Sequence, residues 1–199
     1  MVLAGVILAS YLLGSLPSGL WIGRKLYGID LREHGSKNTG ATNAYRVLGR
    51  WPALLVFACD TAKGMLSVYL GTILAGGQLA EVAGGIAAIC GHNWSVFLGF
   101  KGGRGVATGL GVIALLSPKV TVIVFAVWAV IVFLTKYVSL GSIIAAALVP
   151  PLMWWFGEPA EILCFGVAAA TFVIVRHKPN IERLLKGEES KIKAAQRKT

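Results

Sequence analysis

Apolar runs of bilayer-spanning length follow one another along almost the whole chain, at residues 2–23, 52–76, 79–100, 120–135, 138–156 and 159–175. A helix needs about 20 apolar residues to cross about 30 Å of hydrocarbon, and within lipid its backbone hydrogen bonds are all made internally. An integral membrane protein follows. Composition agrees: 56% of residues are hydrophobic, 14% are charged and the mean hydropathy is +0.72, outside the range of soluble domains. The formal charge of +10 would suggest nucleic acid in a soluble chain. Here loops facing an anionic cytoplasmic leaflet account for it, and no nucleic-acid partner is expected. Cys59, Cys90 and Cys164 each stand alone within an apolar run and read as core residues rather than disulfide or metal ligands.

The N-terminal run has no basic start or cleavage pattern, so it reads as a first span rather than a removed signal peptide. Pro17 and Gly19 interrupt its final third and can either unwind or kink the helix. Residues 24–51 form a polar loop with Arg24, Lys25, Arg32, Lys37, Arg46 and Arg50, placed in the cytoplasm by the positive-inside rule. Pro52 suits a helix start. Asp60 and Lys63, three apart on one face of the second span, read as a structural ion pair near the cytoplasmic end, and His92 reads as a packing residue. Residues 106–117 reach only about 18 Å as a helix, so this segment is short or re-entrant.

Parity then sets the topology. If the short segment crosses, the outer loops hold Glu81, Glu158 and Glu161 with Lys119 as their cation, and nearly every other Lys and Arg faces inward. The expected fold is therefore an all-α polytopic bundle of seven transmembrane helices, N-terminus outside and C-terminus cytoplasmic. Residues 1–180 form one membrane-embedded domain with its site on the cytoplasmic side. Residues 181–199, with Lys186, Lys191, Lys193, Arg197 and Lys198, form a basic cytoplasmic tail that lies on headgroups or is disordered.

Three polar islands separate these runs: residues 34–46, residues 101–108 and residues 176–180. The first two combine glycines, cations and hydroxyls, a recipe for phosphate-like anions; the third carries His177 and Asn180. Their convergence would make a pocket for more than one phosphate group at the membrane rim. Gly35–Thr42 falls short of a Walker A loop because Ala41 occupies the lysine position, and HExxH, GxSxG and CxxC are absent from the sequence. No metal or cofactor is expected. Carboxylates near the islands are few, which argues against a carboxylate acid–base pair. Anion neutralisation, amides, hydroxyls and one histidine suit transfer from a substrate that brings its own leaving group.

In order along the chain, Gly14-Ser15-Leu16-Pro17-Ser18-Gly19, Gly28-Ile29-Asp30-Leu31-Arg32 with Gly35 to Arg46, Gly91-His92-Asn93 with Phe100 to Thr108, and Arg176 to Leu184 with Gly187-Glu188 resemble the motifs of the acyl-phosphate-dependent glycerol-3-phosphate acyltransferases of bacterial membranes, the PlsY type. The resemblance covers almost the whole chain. Departures fall at Lys37, Thr39, Ser95 and Arg104, the last keeping the charge of a more frequent lysine but not its shape. The resemblance implies a cell-membrane enzyme that moves an acyl group from a fatty acyl phosphate to the sn-1 hydroxyl of glycerol 3-phosphate, giving lysophosphatidic acid and inorganic phosphate. Ser36, Arg46, His177 and Asn180 would be the catalytic residues; Lys37, Asn38, Gly40, Thr42, Asn43, Lys101, Gly102, Gly103, Arg104, Gly105 and Thr108 would bind substrate. The Gly102, Gly103 and Gly105 N–H groups would hold one phosphate with Lys101 and Arg104. The leaving phosphate would take the alcohol proton. A transporter of phosphorylated metabolites is the main rival and predicts charges at mid-membrane depth in several spans, where only Asp60 and Lys63 come near. A noncatalytic assembly subunit leaves the glycine islands unexplained.

Overall fold

The computed structural model describes residues 1–192; among them there are ten α-helices, one 3-10 turn and no strand. The first apolar run is broken in two, α1 (Val2–Ser15) and α2 (Ser18–Tyr27). Pro17 has no N–H to donate and pushes the preceding residue out of the helical region, and Leu16 accordingly sits at φ −55°, ψ 120°. Two of the carbonyls at the break are taken by distant side chains: Ser95 Oγ donates to Ser15 O at 2.6 Å and Lys63 Nζ to Leu16 O at 3.1 Å.

A short α3 (Ala41–Val47) precedes α4 (Arg50–Leu74), which carries Pro52 in its first turn as expected. The third apolar run is not one helix to Phe100. α5 (Gln78–Asn93) ends at Trp94, a 3-10 turn covers Val96–Leu98, and the chain reverses through Gly99 and Phe100, both left-handed at φ 58° and 62°. Hydropathy alone does not register a turn made of apolar residues. The segment expected to be short is α6 (Val106–Leu116), 11 residues long. Then follow α7 (Pro118–Thr135), α8 (Val138–Trp155), α9 (Ala160–Arg176) and α10 (Lys178–Leu185). Residues 2–27, α4, α7 and α8 are long and apolar enough to cross a bilayer, and α9 with α10, bent by 56° at their junction, makes a fifth candidate.

Helices meet through small residues, as lipid-embedded bundles require. At the α4–α6 crossing the relation is reciprocal: a Cβ on Gly64 would overlap the Thr108 carbonyl oxygen, and one on Gly111 would overlap that of Thr61. The larger core joins Val68, Val112, Val120, Val124, Val149, Met153, Ile162 and Phe165 from α4 and α6–α9. The outward faces remain apolar, with Phe133 72% and Trp155 77% exposed, as lipid contact demands. A second, smaller core of Ile22, Leu31, Ala44, Ala53 and Val56 lies under the first polar island and anchors α3 on α2 and α4.

The chain beyond Asn180 is more structured than a surface tail. The boundary expected after Asn180 falls inside α10, and residues 189–192 return across the bundle. Glu189 is buried, the Ile192 N–H donates to Lys136 O at 2.7 Å, and Arg46 donates to Ser190 O at 3.0 Å. Lys193, Arg197 and Lys198 lie outside the described residues.

Candidate active site

The first island is folded around one side chain. Asn43 Nδ2 shares its two N–H groups among the carbonyls of Leu31 (2.9 Å), His34 (3.0 Å) and Asn38 (2.8 Å), and its Oδ1 accepts the Ser36 N–H at 2.8 Å. Three acceptors on one side and a donor on the other leave a single amide orientation. Asn43 lines the cavity described below, but its amide is fully engaged in shaping the loop. Asn38 Oδ1 accepts the Gly40 N–H at 2.8 Å, a local turn that presents α3. At the loop's base Asp30 takes bonds from Arg24 and Arg32, and the Arg32 contact holds its carboxyl well below the usual range. This leaves the Ser36 and Thr42 hydroxyls, the Asn38 Nδ2 and Arg46 for a ligand.

The second island works differently from its sequence reading. Gly102 N–H donates to Asn93 O and Gly103 N–H to His92 O, both at 3.0 Å, while the Gly103 carbonyl accepts from Arg176 at 3.1 Å. Those two N–H groups are therefore not free for a phosphate. Gly103 is needed because the His92 ring points its Nε2 edge at it, where a Cβ would overlap that nitrogen. Past Arg104, Gly105 adopts φ 75° and caps α6, so what the island offers an anion is Arg104 and the unpaired N–H groups of a helix N-terminus.

The third island is the bend between α9 and α10. His177 Nδ1 lies 2.8 Å from the Val173 carbonyl; a carbonyl only accepts, so Nδ1 carries the proton and a neutral ring presents Nε2 as an acceptor. One turn on, Asn180 Nδ2 donates to Glu189 Oε1 at 2.6 Å, and its Oδ1 is buried without a partner. Ser139 Oγ at 2.7 Å also donates to Oε1 and Arg183 Nε at 2.7 Å to Oε2. Burial pushes the Glu189 carboxyl up, but the Ser139, Asn180 and Arg183 donors outweigh it and hold the group below its ordinary value.

The three islands share one cavity of about 440 Å³. Ser36, Asn38, Gly40, Thr42, Asn43, Arg46, Arg104, Gly105, His177 and Asn180 line it, together with Arg183 and Glu189. Burial lowers the Arg46 and Arg104 pKa values, yet a guanidinium stays charged at any physiological pH, so three arginines line the cavity with two carboxylates, Glu189 and the deeper Asp60, which is paired with Lys63. The same cavity runs on between α7, α8 and α9 over Val124, Phe125, Trp128, Ala145, Val149 and Ala170. One end therefore suits anionic headgroups and the other a hydrocarbon chain.

Lys37, Lys101, Gly102, Gly103 and Thr108 do not line this space. Lys37, at φ 58°, and Lys101 are turned outward and exposed. Gly102 and Gly103 back onto His92, and Thr108 is buried at the α4–α6 crossing. Sequence reasoning missed Glu189 and Arg183, and also Ser139 and Ser142, which line the cavity from α8. The serines sit in the first five residues of an apolar run, a detectable signal; Glu189 looked like part of a solvated tail. Among the described residues no cluster of His, Cys, Asp or Glu could hold a metal ion.

Residues 4–187 match the family described as Glycerol-3-phosphate acyltransferase. A Glycerol-3-phosphate acyltransferase of Synechococcus sp. (strain JA-3-3Ab) is 47% identical over 185 residues, covering 93% of this chain and 91% of that protein. Glycerol-3-phosphate acyltransferase 2 of Moorella thermoacetica is 46% identical over 186 residues, covering 94% and 95%. The crystal structure of PlsY (YgiH), an integral membrane glycerol 3-phosphate acyltransferase, superposes in its glycerol 3-phosphate form with a TM-score of 0.91 at 38% identity, covering 97% of this chain and 96% of that one. Its lysophosphatidic acid form gives a TM-score of 0.89 at 38% identity, covering 96% and 95%.

Proposed function

The chain belongs to the glycerol-3-phosphate acyltransferase family, and on that premise we propose that it moves a fatty acyl group from an acyl phosphate to the sn-1 hydroxyl of glycerol 3-phosphate. The products are lysophosphatidic acid and inorganic phosphate. The observation that carries this reading is the continuity of the cavity from an arginine cluster to an apolar wall, because the donor is a phosphate and a hydrocarbon chain in one molecule.

Arg104 and the α6 N-terminus hold one phosphate; Ser36, Asn38, Thr42 and Arg46 hold the other. His177 Nε2 and Asn180 Oδ1 each accept from one of the two glycerol hydroxyls and so orient the attacking oxygen toward the acyl carbonyl. As the hydroxyl oxygen bonds to the acyl carbon, the bond from that carbon to the phosphate oxygen breaks and the alcohol proton passes to the departing phosphate. His177 then serves as an orienting acceptor and need not keep the proton. Glu189 stands within the site but is tied to three donors, which fits a structural anchor better than a base.

In this reading the chain crosses a bacterial inner membrane seven times, with α5 and α6 as short crossings, its N-terminus outside and the cavity mouth cytoplasmic. Detergent-purified protein given acyl phosphate and glycerol 3-phosphate should release lysophosphatidic acid and phosphate without sealed vesicles. Product formed equally well from an acyl thioester would overturn the choice of donor. A 2-acyl product appearing before any 1-acyl product would overturn the choice of hydroxyl.

A further inference from the structure

Beneath the two glycine-containing loops, at the inner wall of the same cavity and unused by the transfer described, lies a buried charged cluster: Asp60 and His92 reach the cavity wall, and Asp60 is 2% exposed, Lys63 5% and His92 8%. Asp60 Oδ1 accepts from Ser18 Oγ at 2.5 Å, pairs with Lys63 Nζ at 2.8 Å and faces His92 Nδ1 at 3.6 Å. Stability alone is a poor reason for such a cluster, since desolvating both charges offsets most of their attraction. Charges within a lipid-embedded bundle more often serve function.

Both loops rest on this cluster. Ser18 opens α2, and the next residue, Gly19, lies so close to the Thr39 carbonyl of the first loop that no Cβ would fit. On the opposite side His92 accepts the Gly103 N–H through its carbonyl and packs its ring on Gly103, one residue before Arg104. Asp60 thus holds the segment that supports one loop and faces the histidine that supports the other.

We propose that Asp60 is a positioning residue: through Ser18 and His92 it sets the spacing between the two anion-binding loops, and so the alignment of the two substrates. The proposal rests on the acyl-transfer reading above. A misplacement of about 1 Å between reacting groups costs on the order of 100-fold in rate. Each loop keeps its own ligands when Asp60 changes, so the loss falls on kcat rather than on KM.

Asp60→Asn alone strands the Lys63 charge, so the decisive variants are Asp60→Asn/Lys63→Gln, neutral at both positions, and His92→Gln, which strands no charge. Each is assayed in detergent with acyl phosphate and glycerol 3-phosphate, and its melting temperature is measured. The double variant should melt closer to wild type than Asp60→Asn does, while its kcat stays at least about 10-fold low and both KM values remain within about 3-fold. His92→Gln should show the same split, and it decides alone if the double variant does not melt cooperatively. Recovery of kcat together with melting temperature in the double variant, or wild-type kcat in His92→Gln, would reduce the cluster to a fold anchor and overturn the proposal. Wild-type protein that makes no lysophosphatidic acid would instead sink the transfer reading.

Discussion

Replacing Asn43 by Asp keeps the size and shape of the side chain and reverses the chemistry on one of its faces. Asn43 is 1% exposed, and its Nδ2 meets three carbonyl oxygens at 2.8 to 3.0 Å. A carboxylate there keeps only the bond from the Ser36 N–H and sets an anionic oxygen against three carbonyls. Leaving a buried polar group unpaired costs about 1–3 kcal/mol, and more when it is charged, so Asn43→Asp should lose about 3–5 kcal/mol of loop stability. Asn43→Ala loses all four bonds but brings no charge and lets water enter, for about 2–4 kcal/mol. The isosteric change is therefore the more damaging one. The small core under α3 holds the loop to the bundle, so damage stays local while Ser36 and Arg46 move. A shift of about 1 Å predicts on the order of 100-fold slower turnover with the helical bundle intact. Steady-state lysophosphatidic acid formation, with circular dichroism to check the bundle, measures both. Turnover of Asn43→Asp within about 3-fold of wild type, or above that of Asn43→Ala, would refute the hydrogen-bond assignment on which this rests.

Three further outcomes follow from the site. Lys37→Ala and Lys101→Ala, on outward-facing side chains, should each leave kcat/KM within about 3-fold, whereas Arg104→Ala, which removes a charge-assisted phosphate contact worth about 1.5–3 kcal/mol, should raise one substrate's KM by at least about 10-fold. Gly103→Ala forces a methyl into the His92 ring and should lower activity by shifting Arg104, with little recovery at saturating substrate. Glu189 has a folded pKa below its unfolded one, so its stabilising contribution is complete above the ordinary carboxylate range and is lost as pH falls through the depressed folded value. Glu189→Gln should therefore mimic acid at neutral pH and flatten the acid limb of a melting-temperature profile; an unchanged limb would assign it to another group.

Continuous apolar stretches are a local property, and they made the lipid-embedded helical class legible from residues alone. So were the break at Pro17, the short α6 and the convergence of Ser36, Arg46, Arg104, His177 and Asn180, because glycines, cations and hydroxyls between spans have few other reasons to occur together. The direction in which each side chain or N–H points was not legible. Gly102 and Gly103 carry the composition of a phosphate loop, but their N–H groups face the end of α5, a partner about ten residues earlier that only the turn at Gly99 and Phe100 brings within reach. Glu189 reads as one acid in a basic tail until α10 turns and carries it back to Ser139, 50 residues earlier in sequence. Residue type and hydropathy set what each segment can tolerate as solvent, whereas hydrogen-bond partners are chosen by distances between segments far apart in the chain, and those distances exist only once the helices have packed.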